Sequence, residues 1–328
     1  MNTTLKFLFV IPSVFLLYSC TKDSKIPIPV ITTEAATSIT LSSAVSGGEM
    51  SEFSTSILEK GICWSTIQNP TIADIKVTDN SINKRFSINM SSLSANTVYY
   101  IRAFATNSTG TGYGDQISFT TLTDYSGQTG TINDADGNTY PIMGIGSQIW
   151  MARNLETTKY QDGTSILFVT SNSIWTSTTI CYSLYNNDLA NKSNYGALYN
   201  WYTIDPSTTG HKICPVGWHI PSKSEFLSLL EYLGPDAASK LRESGTSHWF
   251  AGNIASNASG FTALAGGIRN DTGGAFQFFR DECYFWASNS DITGGSSANY
   301  MRITETGASA SYLFPKGNGL SIRCLKDQ

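Results

Sequence analysis

The sequence predicts two folded domains of different class, an all-β sandwich over residues 28–123 and an α+β domain over residues 125–328. Three observations predict this. A chain of 328 residues accommodates about two domains. Residues 28–123 carry short alternating apolar and polar runs separated by turn signals, the pattern of half-buried strands. The later region contains one amphipathic helix whose start and stop are both written in adjacent residues.

Composition narrows the function classes. Hydrophobic residues make up 41% of the chain, enough to bury a sizeable core, so disorder is not the default. Charged residues are only 14% and the net charge is −4, which argues against a nucleic-acid or acidic-membrane partner read through a basic field. Ser, Thr, Asn and Gly must dominate the surface.

The first residues read as a targeting segment. Lys6 precedes an apolar run from Phe7 to Leu17, too short to span a bilayer but of signal-peptide length. No later stretch reads as a transmembrane helix. The run ends in Leu17-Tyr18-Ser19-Cys20, which resembles a bacterial lipoprotein cleavage box. That resemblance implies removal of residues 1–19 and acylation of Cys20, anchoring the chain to the outer membrane, on its surface or periplasmic side. An ordinary secretory signal with an incidental Cys is the competing reading. Residues 20–27 then form a tether, stiffened by Pro27 and Pro29. Lys22-Asp23 loosely resembles the charged export tag of surface lipoproteins.

In the first domain, Ile39 and Leu41 alternate with polar residues before Gly47-Gly48, read as a break. Ile57 to Trp64 is a second apolar strand, followed by an Asn69-Pro70 turn. Phe86, Ile88 and Met90 share one face of a third. Tyr99, Ile101, Ala103 and Ala105 share a face of the next, and Ile117 and Phe119 mark the last. The stretch Leu93 to Ala103, with Thr97-Val98-Tyr99-Tyr100-Ile101-Arg102, resembles the corner of a fibronectin type III domain, with Tyr99 at the corner position. Lys60-Gly61-Ile62-Cys63-Trp64-Ser65 fits a divergent bacterial form. Such modules usually serve as spacers.

The second domain opens on Asp134-Ala135-Asp136-Gly137-Asn138. The Gly position and the lack of a distant bidentate Glu argue against an EF-hand calcium loop. Asp136-Gly137 between short strands reads as a hairpin turn. The helix follows Cys214-Pro215-Val216-Gly217-Trp218-His219-Ile220-Pro221. Ser222 and Glu225 form a capping box. Phe226, Leu229, Leu230 and Leu233 recur at i, i+3, i+4 and i+7, and Gly234-Pro235 ends the helix. Pro235 to Glu243 reads as a second short helix, with Ala237, Ala238 and Leu241 apolar.

A set of separated motifs agrees in order and spacing. They are Asp136 to Tyr140, Gln148 to Leu155, Tyr185 to Asp188, Tyr195 to Tyr202 and Cys214 to Ser222. Ser259 to Leu264, Gly266-Gly267-Ile268-Arg269, Phe285 to Ser288 and Gly319 to Cys324 complete them. Residues 125–328 thereby resemble the Fibrobacter succinogenes major paralogous domain. The resemblance implies a secreted or lipid-anchored bacterial protein and no particular activity. More distantly, the helix entry and the Arg323-Cys324 ending resemble the C-type-lectin-like and formylglycine-generating-enzyme group, which implies helices beside a small irregular antiparallel sheet.

Of six cysteines, Cys20 is set aside for lipid and Cys63 reads as a buried free thiol. Cys181, Cys214, Cys283 and Cys324 then allow three connectivities in an oxidising compartment. The expected bond is Cys214–Cys324, tying the helix entry to the last strand; Cys181–Cys283 follows by elimination. No pair has Cys-x-x-Cys spacing, which argues against a zinc or redox site. His211, His219 and His248 are not clustered for metal, and His219 reads as a hydrogen-bonded structural residue. No nucleophile elbow supports Ser-His-Asp catalysis, and the Gly pairs lack a dinucleotide-binding context. No cofactor is expected.

Aromatics near amides and carboxylates have the mixed character of a ligand cleft, and sugar C–H faces stack on such rings. The candidate contacts are Asn186, Asn187, Asp188, Tyr195, Trp201 and Trp286, with loops 186–195 and 289–299 as the place. The leading expectation is a non-enzymatic, lipid-anchored cell-envelope protein whose C-terminal domain recognises a glycan or a protein. The alternatives are an enzyme related to the formylglycine-generating group, needing paired reactive cysteines or a metal, and a purely structural envelope protein.

Overall fold

The computed structural model describes residues 26–328 except 53–55, 176–178, 251 and 291–294. The expected signal peptide, Cys20, the Lys22-Asp23 pair and most of the tether lie outside the described residues. The chain forms two compact units. One contains Val45–Met90, Tyr99–Phe119 and the chain up to Thr37; the other contains Ser38–Ala44, Ser91–Val98 and Thr120–Gln328. Among the described residues the chain is mostly β, built of several sheets with few helices. None of its described helices is long and apolar enough to cross a membrane.

The strands of the first region form a sandwich. One sheet orders Ile31–Thr33, Ala44–Met50 and Arg85–Met90; the other orders Ile75–Thr78, Glu59–Ser65, Val98–Thr106 and Thr111–Tyr113, with Ile117–Thr120 also paired to Val98–Thr106. Alternation works as read in Arg85–Met90, where Phe86, Ile88 and Met90 are buried between exposed neighbours. Tyr99 is buried and stacks on Phe119 at 5.9 Å. Two expectations need correction. Ile39 and Leu41 lie outside any strand, and Gly47-Gly48 sit inside one. The glycines admit close backbone approach: a Cβ on Gly47 would lie 2.1 Å from the Phe86 carbonyl oxygen.

In the second unit, a hairpin pairs Thr129–Asn133 with Thr139–Ile145 across the Asp136-Gly137 turn. The sheet continues through Gln148–Met151 and Leu325–Lys326 to Trp218–His219. The last two strands of this sheet therefore come from distant parts of the chain. Asp134 and Asp136 serve the turn rather than stand open. Asp134 accepts from the Asp136 and Asn138 amides at 2.9 Å each and from the Tyr140 hydroxyl at 2.6 Å; Asp136 accepts from the Thr158 hydroxyl at 2.9 Å.

A three-stranded antiparallel meander comprises Cys283–Ser290, Ser297–Ile303 and Ala308–Pro315; its first two strands are mostly buried on both faces, and the third is mostly open to solvent. One face presents Cys283, Phe285, Ala287, Met301 and Ile303 to the helix Lys223–Leu233, whose Phe226, Leu229 and Leu233 point inward. The other face presents Tyr284, Trp286, Ala298 and Tyr300 to a second core containing Tyr199, Trp201, Trp218 and Ile220. The helix carries the full capping box and ends at Gly234 with φ 71°. The short helix Ala237–Leu241 follows, burying Ala237, Ala238 and Leu241.

Much of this unit is loop, and buried arginines tie the loops down. Arg323 is fully buried, with no carboxylate partner among the described residues. Its guanidinium donates to Asn154 Oδ1 at 2.7 Å, Met151 O at 3.1 Å and Thr262 O at 2.7 Å, over the Phe261 ring at 4.6 Å. Arg269 does the same for the 169–172 loop, donating to Val169 O at 2.6 Å and Thr170 O at 3.0 Å. A planar five-donor fork suits convergent carbonyls, and burial without such acceptors would be costly.

Candidate functional site

A cavity of about 220 Å³ lies beside the Cys214–Cys324 disulfide. Ile204, Pro206, Ile213, Trp218 and Ile220 make apolar walls, with Cys214 between them; His211, Lys212, His219, Ser288 and Asp327 supply polar groups. Each wall has a local cause. Asn200 caps the helix Trp201–Ile204, its side chain accepting from the Thr203 amide, and so brings in Ile204. Asp205 caps the next turn at Pro206. Trp218 and His219 pair with Lys326 and Leu325, which carries the C-terminal Asp327 to the site. The Asp327 amide donates to Gly217 O at 2.9 Å.

His219 is held between two carboxylates. Its Nδ1 lies 2.7 Å from Asp327 Oδ1 and its Nε2 lies 3.0 Å from Glu225 Oε1. Glu225 is the capping-box residue, and its other oxygen accepts from the Ser222 amide at 2.7 Å and hydroxyl at 2.8 Å. The bond to Glu225, joined by the one to Asp327, outweighs the opposing effect of burial and raises the His219 pKa above its usual value. Burial pushes the Glu225 carboxyl up, but the bonds from His219 and Ser222 outweigh it and hold the pKa below the usual value. One imidazole ring thus joins the helix start to the C-terminal strand. His211, which also lines the cavity, pairs with Asp162 at 2.5 Å and stacks on Tyr160 at 5.0 Å.

The expected disulfide Cys214–Cys324 is present, with its Cα atoms 5.9 Å apart. The second expected pairing is not: Cys181 and Cys283 are both buried free thiols, as is Cys63. Cys181 packs with Val169 and Trp175, while Cys283 belongs to the core around Phe226. Separate cores hold the two sulfurs, so elimination by count fails. Burial raises the Cys181 pKa to about 12, against a smaller opposing pull from Arg269.

The expected ligand contacts do not converge either. Trp286 is fully buried and donates Nε1–H to Tyr199 O at 2.8 Å; Trp201 is nearly so and donates to Ala287 O at 3.1 Å. Tyr195 is buried against Phe279, with ring centroids 4.7 Å apart. None offers a free ring face to a sugar. Asn186 and Asn187 take left-handed backbone at φ 53° and 57°, and Asp188 accepts from the Ala190 amide at 2.9 Å to start a short helix. These residues build a turn. Of the expected loop 289–299, residues 291–294 lie outside the described residues. Sequence reading missed Lys212, Ile213 and Asp327, and gave Ser288 a place in a motif but no role at a site. Only the motif around His219 flagged the place, because the partners are remote in sequence: Asp327 is 108 residues from His219.

The Fibrobacter succinogenes major domain matches residues 143–326, more than half of the chain, and the chain belongs to that family. No curated protein matches it. Among solved structures, it is similar to the sensor domain of the anti-sigma factor RsgI4 from Pseudobacteroides cellulosolvens, at 18% identity and TM-score 0.23, over 30% of this chain and 99% of that one. A fibronectin type III domain from the human KIAA0970 protein matches at 13% identity and TM-score 0.21, over 28% of this chain and 73% of that one. The chicken CNTN1 FN1–FN3 domains match at 20% identity and TM-score 0.23, over 30% and 32% respectively.

Proposed function

We propose that this is a lipid-anchored protein of the bacterial cell envelope, held at the outer membrane through Cys20, whose C-terminal domain recognises a ligand and catalyses no reaction. The sandwich acts as a spacer in this reading. The C-terminal domain is read as an α+β unit of the lectin-like kind, with the helices Lys223–Leu233 and Ala237–Leu241 beside small irregular sheets.

The observation that carries the reading is the cavity: apolar walls with a few polar groups among them have the composition of a recognition site. The non-enzymatic reading draws support from the thiols, since Cys181 and Cys283 are buried, apart and raised in pKa, the opposite of a reactive cysteine pair. The test is a screen of glycans, peptides and small metabolites against the mature chain, run in parallel on Ser288→Trp. Ser288 is exposed at the cavity, so the indole should plug it without disturbing the core. Saturable binding lost in the plugged variant is expected. Binding that ignores the plug would place recognition elsewhere.

A further inference from the structure

The cavity's size and charges narrow its ligand, given the reading above that it is a recognition site. At about 220 Å³ it is smaller than the roughly 300–1,000 Å³ of pockets for drug-sized molecules. It is larger than the ~150 Å³ apolar cavity that suffices for benzene. It therefore suits one compact group of side-chain size rather than an oligosaccharide or an acyl chain. Ile204, Ile213, Ile220 and the Trp218 indole give that group an apolar surround.

The cavity lining carries charges of both signs. Lys212 is exposed, and its ammonium has no ion pair or hydrogen bond among the described residues. Asp327 is half exposed; His219 engages its Oδ1, and Oδ2 has no partner among the described residues. The other ionisable side chains are paired within the protein, His211 with Asp162 and His219 with Glu225. The Ser288 hydroxyl adds a neutral donor and acceptor. A ligand complementary to this lining has an apolar body and, within so small a cavity, both an anion for Lys212 and a cation for Asp327. A neutral sugar has neither charge, and a simple carboxylic acid has only one.

We propose that the cavity binds a free hydrophobic α-amino acid, its side chain between Trp218 and the isoleucines, its carboxylate at Lys212 and its ammonium at Asp327. His219 is a positioning residue here: it fixes the Asp327 carboxylate by holding one oxygen.

The experiment is calorimetric titration and thermal melting of the mature chain with L-isoleucine, L-leucine, L-methionine and L-phenylalanine. Each is compared with the matching amine lacking the carboxylate, the matching acid lacking the amine, and L-serine. At least one hydrophobic amino acid should bind and raise the melting temperature, with both truncated analogues at least tenfold weaker and serine silent. Lys212→Ala should weaken the amino acid at least tenfold while leaving the amine's affinity unchanged, and Ser288→Trp should abolish binding. Both substitutions are at exposed positions, so their unliganded melting temperatures report whether the fold is kept. Equal binding of amino acid and amine, or amino-acid binding that survives the plug, overturns the proposal. If no amino acid binds but another ligand binds in a plug-sensitive way, the zwitterion assignment is wrong and the recognition reading stands. If no ligand in either screen depends on Ser288, the recognition reading falls as well.

Discussion

His219 shows how one residue couples two ends of the unit. Its pKa is raised above the ordinary 6.5, so the stability it contributes is fully present below about that pH and is lost as pH rises through the raised value. The Glu225 pKa is lowered below 4.5, so its share is present above that pH and lost on acidification. The clamp is therefore strongest between about pH 4.5 and 6.5. We predict that the melting-temperature gap between the natural chain and His219→Gln is widest in that window and narrows toward alkaline pH. A gap of constant size would show that protonation of His219 plays no part. Arg323 is a different case. Burial pulls its pKa down to about 9, and it stays charged at neutral pH. Arg323→Met should cost about 3 kcal/mol or more in urea unfolding, because the carbonyls of Met151 and Thr262 lose a charged donor in the core. A loss below about 1 kcal/mol would mean that water or rearrangement replaces the guanidinium.

At the scale of elements, the helix Lys223–Leu233 was legible almost residue by residue. Its cap, stripe and stop are contacts between near neighbours, so no tertiary information was needed. Ser222→Ala removes the cap and should cost about 1 kcal/mol, read by denaturant unfolding. The strand Ala44–Met50 was not legible, because glycines usually weaken strands and these are required by the nearness of Phe86 and Ala103. The disulfide joins residues 110 apart. Replacing both cysteines by Ala should cost about 2–5 kcal/mol by releasing the unfolded chain from that closed loop.

For the whole molecule, the thiol count is a direct check. If Cys20 is acylated as proposed, the denatured mature chain should titrate three free thiols, from Cys63, Cys181 and Cys283. The folded chain should react slowly at all three, since each is buried with a raised pKa. One free thiol would instead restore the pairing of Cys181 with Cys283. Lipid anchoring predicts that Cys20→Ser moves the protein from the membrane fraction to the soluble fraction on cell fractionation.

By itself the sequence determined the family, the β character of residues 28–123, the Asp136-Gly137 hairpin, the capped helix and the burial of a lone Cys63. These follow from patterns within a few residues, where spacing alone decides which side chains share a face. Tertiary structure decided what needed distances between remote residues. It separated Cys181 from Cys283, and it turned Tyr195, Trp201 and Trp286 into core with their polar atoms spent on carbonyls or packing. It also brought Asp327 to His219 and Lys212 to the rim of one cavity. Aromatic residues read the same in sequence whether they face solvent or core, because burial is set by what the rest of the chain lays over them.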